Sequence, residues 1–172
     1  MEIKKEEAHI FYGKALKVCW LRPVTEHLEP FKLYARHMYW SYFPYCDLRD
    51  LNFSKLQSLS LGNMTFTHDW QLDWILHIST LEVVVLDDCS IVVGCHMYHN
   101  VFGQDRAAPS LNEFRANDGG CAWYYEARWH DYFRRIQQGL PRLRHFACGH
   151  GPWEFSEGFE KSANLRARLR PQ

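Results

Sequence analysis

The chain has 172 residues, 47% of them apolar and 16% aromatic, which is enough for one domain with a substantial core and excludes a disordered segment. Twenty basic and twenty acidic residues cancel to a formal net charge of zero, arguing against a nucleic-acid or anionic-membrane partner. No stretch approaches the roughly 18–20 apolar residues that span a bilayer. The start, Met1-Glu-Ile-Lys-Lys-Glu-Glu, lacks the apolar core of a secretory signal, and six scattered cysteines show no disulfide framework. An intracellular protein, cytoplasmic or nuclear, is therefore expected.

In chain order, residues 1–14 read as a charged, frayed lead-in to a domain over 15–160. Alternation of Val18 and Trp20 suits a short strand before the turn at Arg22-Pro23. Phe31, Tyr34, Ala35 and Met38 recur at helical spacing behind Pro30 and predict a helix there.

The strongest pattern follows. Leu56-Gln-Ser-Leu59-Ser-Leu61 and Leu81-Glu-Val-Val84-Val-Leu86 share the phrase L-x-x-L-x-L and start 25 residues apart. Met64 and Phe66 after the first copy match Cys89 and Ile91 after the second. Such a period predicts a short leucine-rich-repeat-like α/β solenoid, with parallel strands on a concave face and return helices behind. Two weaker copies are read at Leu111-Asn-Glu-Phe114-Arg-Ala116 and Leu143-Arg-His-Phe146-Ala-Cys148.

Return helices are predicted over 67–78, capped by Thr67, and near 124–138, where Gly139-Leu140-Pro141 stops the helix with a left-handed glycine. Residues 92–110 have no clean period and read as an insertion loop, and 161–172 as a basic flexible tail.

In this frame the apolar positions point inward and the residues between them outward. The candidate binding positions are Ser58, Ser60, Val83, Val85, Glu113, Arg115 and His145, with Ala147 beside them and Asp87, Asp88 and Asn117 just beyond. Glu113, Arg115 and His145 are expected on neighbouring strands. Val83 and Val85, apolar at outward positions, are expected either to anchor a partner or to lie under the 92–110 loop.

Catalytic constellations carry less weight. Asp69 and Asp73 are four apart on a predicted helix, where capping and solvation explain them. Cys89, Cys95, His96 and His99 offer zinc-compatible atoms without paired C-x2-C spacing, and no G-x-S-x-G, P-loop or G-x-G-x-x-G phrase occurs. No catalytic residue, metal site or cofactor is assigned. A metal-dependent or thiol enzyme using the 89–99 region is the least favoured alternative.

Leu61-Gly-Asn-Met-Thr-Phe-Thr-His-Asp-Trp-Gln-Leu-Asp-Trp-Ile-Leu and Leu86-Asp-Asp-Cys-Ser-Ile resemble a large group of fungal F-box proteins with leucine-rich-repeat-like C-terminal regions. Trp129-His-Asp-Tyr-Phe and Gly139-Leu-Pro-Arg-Leu-Arg-His-Phe are similar to later segments of that group. The resemblance spans roughly residues 15–155. It implies a protein–protein interaction module, the substrate-receptor half of a ubiquitin ligase, with an unknown protein substrate as partner. A Skp-type adaptor would join only through an upstream F-box, and no such segment precedes Leu16. A truncated remnant without ligase function is the alternative.

Overall fold

The computed structural model describes residues 5–35, 38–42, 44–97, 115–117 and 120–149, with the backbone alone for Lys5, 95–97, 115–117 and 120–123. Helix α1 (Lys5–Ile10) runs without a break into a π-helical segment, Phe11–Leu21. Tyr12, Leu16 and Leu21 are buried at separations of four and five residues. The wider π turn, closed by the Arg22 amide donating to the Lys17 carbonyl at 2.9 Å, keeps all three on one side. The segment is therefore helical where alternation predicts a strand, and the expected lead-in is helical from Lys5 onward.

The centre of the molecule is a parallel four-stranded sheet in the order β1 (Pro30–Tyr34), β2 (Ser58–Gly62), β4 (Val83–Asp87), β9 (His145–Gly149). Its register aligns Pro30, Ser58, Val83 and His145, so successive rungs are 28, 25 and 62 residues apart. Phe31–Leu59–Val84–Phe146 and Leu33–Leu61–Leu86–Cys148 form the two inward rows. Leu59, Leu61 and Val84 are completely buried.

Each rung is fastened to the next in the same way. The Glu29 carbonyl accepts the amides of Gln57 and Ser58, the Gln57 carbonyl those of Glu82 and Val83, and the Glu82 carbonyl those of Arg144 and His145, all at 2.8–3.0 Å. Proline occupies this position only in the first rung, β1, which is an edge strand of the sheet among the described residues, where a missing N–H is tolerated.

The helix predicted near residues 30–38 is thus a strand over Pro30–Tyr34. Leu28-Glu-Pro-Phe31-Lys-Leu33 has the same phrase as the next two rungs, and pairing along β2 overrides its helical spacing.

A second, shorter ladder follows the first. Trp40 bridges Met64, and β3 (Thr65–Phe66) pairs in parallel with β5 (Ser90–Ile91). Of the matched apolar offsets seen in the sequence, Phe66 and Ile91 are paired here, and the Met64 carbonyl accepts the Ser90 amide at 3.0 Å. Return helix α2 (Asp69–Leu76) starts at His68 in place of the predicted Thr67, because the Gln71 side chain folds back and accepts the amides of Thr67 (2.6 Å) and His68 (2.9 Å). Helix α3 (Trp129–Gly139) packs beside it. No described glycine has a positive φ, so Gly139 is not a left-handed cap. A Cβ there would meet Leu76 Cδ2 at 3.0 Å, and close approach of the two helices explains the glycine.

Of the copy read at Leu111, the described residues Arg115 and Ala116 are not in the parallel sheet. Arg115–Asn117 is β7 of a separate antiparallel sheet, ordered β6 (Gly94–Met97), β8 (Gly120–Tyr124), β7. The ends of this unit meet where the Tyr125 amide donates to the Val93 carbonyl at 3.0 Å. Removing Gly94–Tyr124 from the long interval would leave 62 − 31 = 31 residues between Val83 and His145, close to the other two spacings. Gly94–Met97 of the predicted 92–110 loop are therefore strand β6, and residues 98–110, like the 161–172 tail, lie outside the described residues. Among the described residues no helix is long and apolar enough to cross a membrane.

Candidate recognition surface

The sheet register sorts the outward side chains into three rows. The first is Pro30–Ser58–Val83–His145, the second Lys32–Ser60–Val85–Ala147, and the third Tyr34–Gly62–Asp87–Gly149. Burial separates them. In the first row Pro30 and His145 are exposed and Ser58 and Val83 half-buried. In the second, Ser60, Val85 and Ala147 are only 5%, 7% and 3% exposed, and Lys32 alone is open. Val85 is therefore not an exposed anchor, and Ser60 is not available to a partner.

The third row is closed by packing. Tyr34 lies across Gly62, where an added Cβ would stand 2.1 Å from the ring, so only glycine fits beneath it. Burial, then the nearby Asp87 carboxylate, pushes the Tyr34 phenol well above its ordinary pKa and keeps it neutral. Asp87 is itself 6% exposed, and Asp88 is half-buried in left-handed backbone at φ 50°. These two serve the turn between the ladders and not an open face.

Two further expectations fail on topology. Arg115 and Asn117 sit in β7, outside the parallel sheet, so they do not stand beside His145, which is next to Val83. Glu113 lies outside the described residues.

The open surface is instead the N-terminal rim of the sheet. Glu29, Gln57 and Arg144 are exposed there, Glu82 is half-buried, and Pro30, Ser58, Val83 and His145 follow them. Arg144 pairs with Glu82 at 3.4 Å, while Lys32 and Glu29 add one further charge of each sign. Such a strip offers alternating donors and acceptors without a net field. The rim residues were missed because the repeat phrase marks what is buried. The signal that exposes them is the position before each outward residue, once Leu28–Leu33 is accepted as a rung.

The constellations weighed for chemistry are occupied structurally. Arg135 donates to Asp69 Oδ1 at 3.1 Å and to Asp73 Oδ1, and the Tyr125 hydroxyl donates to Asp69 at 3.0 Å, so both carboxylates fasten α2 to α3. Cys89 donates its thiol to the Leu61 carbonyl at 3.3 Å, and burial pushes its pKa up to about 12. The side chains of Cys95 and His96, and His99 as a whole, lie outside the described residues. Among the described residues no group of three or more His, Cys, Asp or Glu side chains is placed to hold a metal ion. In comparisons with known proteins, no family model, no curated protein and no solved structure matches this chain.

Proposed function

We propose that the chain is a leucine-rich-repeat-like solenoid acting as a protein–protein interaction module, similar to the substrate-recognition half of a fungal F-box protein, and that it reads an extended polypeptide along the N-terminal rim of its parallel sheet. The observation that carries this reading is the repeated fastening at Glu29, Gln57 and Glu82, which presents equivalent outward positions side by side on neighbouring strands. Strands lie about 4.8 Å apart, so the rim forms a regular row that an extended chain can follow. Binding to intervening side chains of a rigid ladder is the use to which stacked repeats lend themselves.

Selection of binders from a displayed peptide library, followed by affinity measurement against rim variants, tests the reading. Lys32→Ala and the Glu82→Ala/Arg144→Ala pair should each weaken a selected peptide by about tenfold, or 1.4 kcal/mol, at an unchanged thermal midpoint. Binding indifferent to the rim and abolished by Arg134→Ala on α3 would place recognition on the helical side.

A further inference from the structure

A cleft of about 640 Å³ lies between the turn at Arg49–Ser54 and helix α2, with Ser79 and Thr80 on its wall. Its size falls within the roughly 300–1,000 Å³ of sites that hold small ligands. Trp70, Phe53 and Trp74 line it, but only Trp70 is half-buried: Phe53 is stacked on Phe31 at 5.9 Å and set edge-on to Trp74 at 6.1 Å, so these two form the floor.

The charges around the cleft are satisfied by the protein itself. Arg49 lies 4.5 Å above the Trp70 ring while donating to both carboxylate oxygens of Asp47, at 2.9 and 2.6 Å. Asp50 is held by Lys17 at 2.6 Å and Arg22 at 2.8 Å, and Asp73 by Arg135. A charged ligand would lose hydration and find no free counter-charge.

What remains on offer is neutral and of mixed polarity. Asn52 and Ser54 are exposed on the cleft wall. His77 places Nδ1 2.6 Å from the Asp73 carbonyl, so that nitrogen carries the proton and Nε2 is an acceptor in the neutral ring. Trp74 is 6% exposed, and its indole N–H has no acceptor among the described residues.

We propose that this cleft binds a neutral saccharide of one or two rings. A sugar ring has an apolar C–H face that lies flat on an aromatic side chain, and hydroxyls that donate and accept in equal measure. Both halves of that chemistry line the cleft: the half-buried Trp70 ring, and the mixed set on Asn52, Ser54 and His77. A proline-rich peptide would match the ring, but each proline offers a carbonyl acceptor and no N–H, which leaves fewer donors for the His77 acceptor. The saccharide site stands independently of the rim, and either can fail without the other.

The test is tryptophan fluorescence of the full chain titrated with maltose, cellobiose, mannobiose and N,N′-diacetylchitobiose, with glucuronic acid and a neutral proline-rich peptide as comparisons. At least one disaccharide should give a saturable change that Trp70→Ala and Asn52→Ala each weaken by about tenfold. Asn52 is exposed and is not part of the core, so Asn52→Ala decides the matter if Trp70→Ala does not fold. No saturable response to any of the four sugars, a response that Asn52→Ala leaves unchanged, or tighter binding of the peptide or of glucuronic acid would overturn the proposal.

Discussion

Asn63 and Asp88 stand at the same point of successive rungs, one residue past β2 and β4, and both adopt left-handed backbone, with φ of 58° and 50°. The turn from the first ladder into the second is made there, so its geometry recurs with the 25-residue spacing of the strands. Left-handed backbone costs most residues roughly 1–2 kcal/mol, and asparagine and aspartate tolerate it best after glycine.

The Asn63 side chain adds a tie between rungs, its Nδ2 donating to the Ala35 carbonyl at 2.7 Å. Asn63→Ala loses that bond and also the backbone tolerance, and should destabilise the protein by about 1–3 kcal/mol. Asn63→Gly loses the bond alone and should cost less. Equal losses in chemical denaturation would remove the left-handed turn from the account.

The inward rows carry the largest energetic weight. Leu61 and Leu86 are 0% and 1% exposed and face one another in register. Leu61→Ala or Leu86→Ala should each cost about 2–5 kcal/mol. Losses below about 1 kcal/mol at both positions would contradict the ladder.

The middle of the fold was legible because Leu59, Leu61, Val84 and Leu86 alternate inward while Trp74 and Ile75 return on a helix, giving two distinct periods in one repeat. The first rung was hidden by Phe31, Tyr34, Ala35 and Met38, whose spacing is helical by coincidence of a strand with the turn after it. Leu111, Phe114 and Ala116 satisfy the phrase, yet Arg115 and Ala116 pair in the antiparallel sheet, because the phrase says nothing about which strand will be the neighbour. For the surface, periodicity distinguishes inward from outward, but burial of Ser60 and Val85 depends on packing over the outward face, which no local phrase encodes.

Cysteine accessibility gives a chemical check on the core. Burial pushes the thiols of Cys46 and Cys89 up to about 12 and that of Cys148 up to about 11, while Cys19 is exposed. The thiolate is the reactive species, so at neutral pH Cys19 should be alkylated well before the other three, which should react on unfolding. Mass mapping of modified peptides that found Cys46 or Cys89 labelled as fast as Cys19 in the native protein would contradict their placement.

The Asp47 carboxylate links stability to acid pH. Burial disfavours its ionised form, yet the hydrogen bonds and charge of Arg49 outweigh this and leave its pKa below the ordinary value. A depressed folded-state pKa means that the contribution is complete above the unfolded value of about 3.9 and is lost as pH falls through the folded value. Asp47→Asn should therefore flatten the fall of the thermal midpoint between about pH 5 and pH 2. An unchanged acid slope would show that the Asp47–Arg49 pair contributes nothing to it.

Gln71 is the most connected polar group of the core, completely buried, with Nε2 donating to Ser41 Oγ at 2.6 Å and to the Thr65 carbonyl at 2.7 Å while Oε1 caps α2. Gln71→Leu puts an apolar side chain of similar size there and leaves the amides of Thr67 and His68 without that acceptor. The loss should be at least about 1–3 kcal/mol, read as a shift in denaturation midpoint. A neutral substitution would mean that water replaces the side chain at no cost.

The central claim is that β4 and β9 are adjacent rungs of one ladder and that Gly94–Tyr124 is inserted between them. The most direct measurement is the nuclear Overhauser pattern of a variant in which residues 94–124 are replaced by an Asn-Gly turn joining Val93 to Tyr125. Contacts between Val84 and Phe146 and between Leu86 and Cys148 should persist alongside those of β2 with β4. Loss of the β4–β9 contacts while β2–β4 contacts remain would show that the ladder ends at β4.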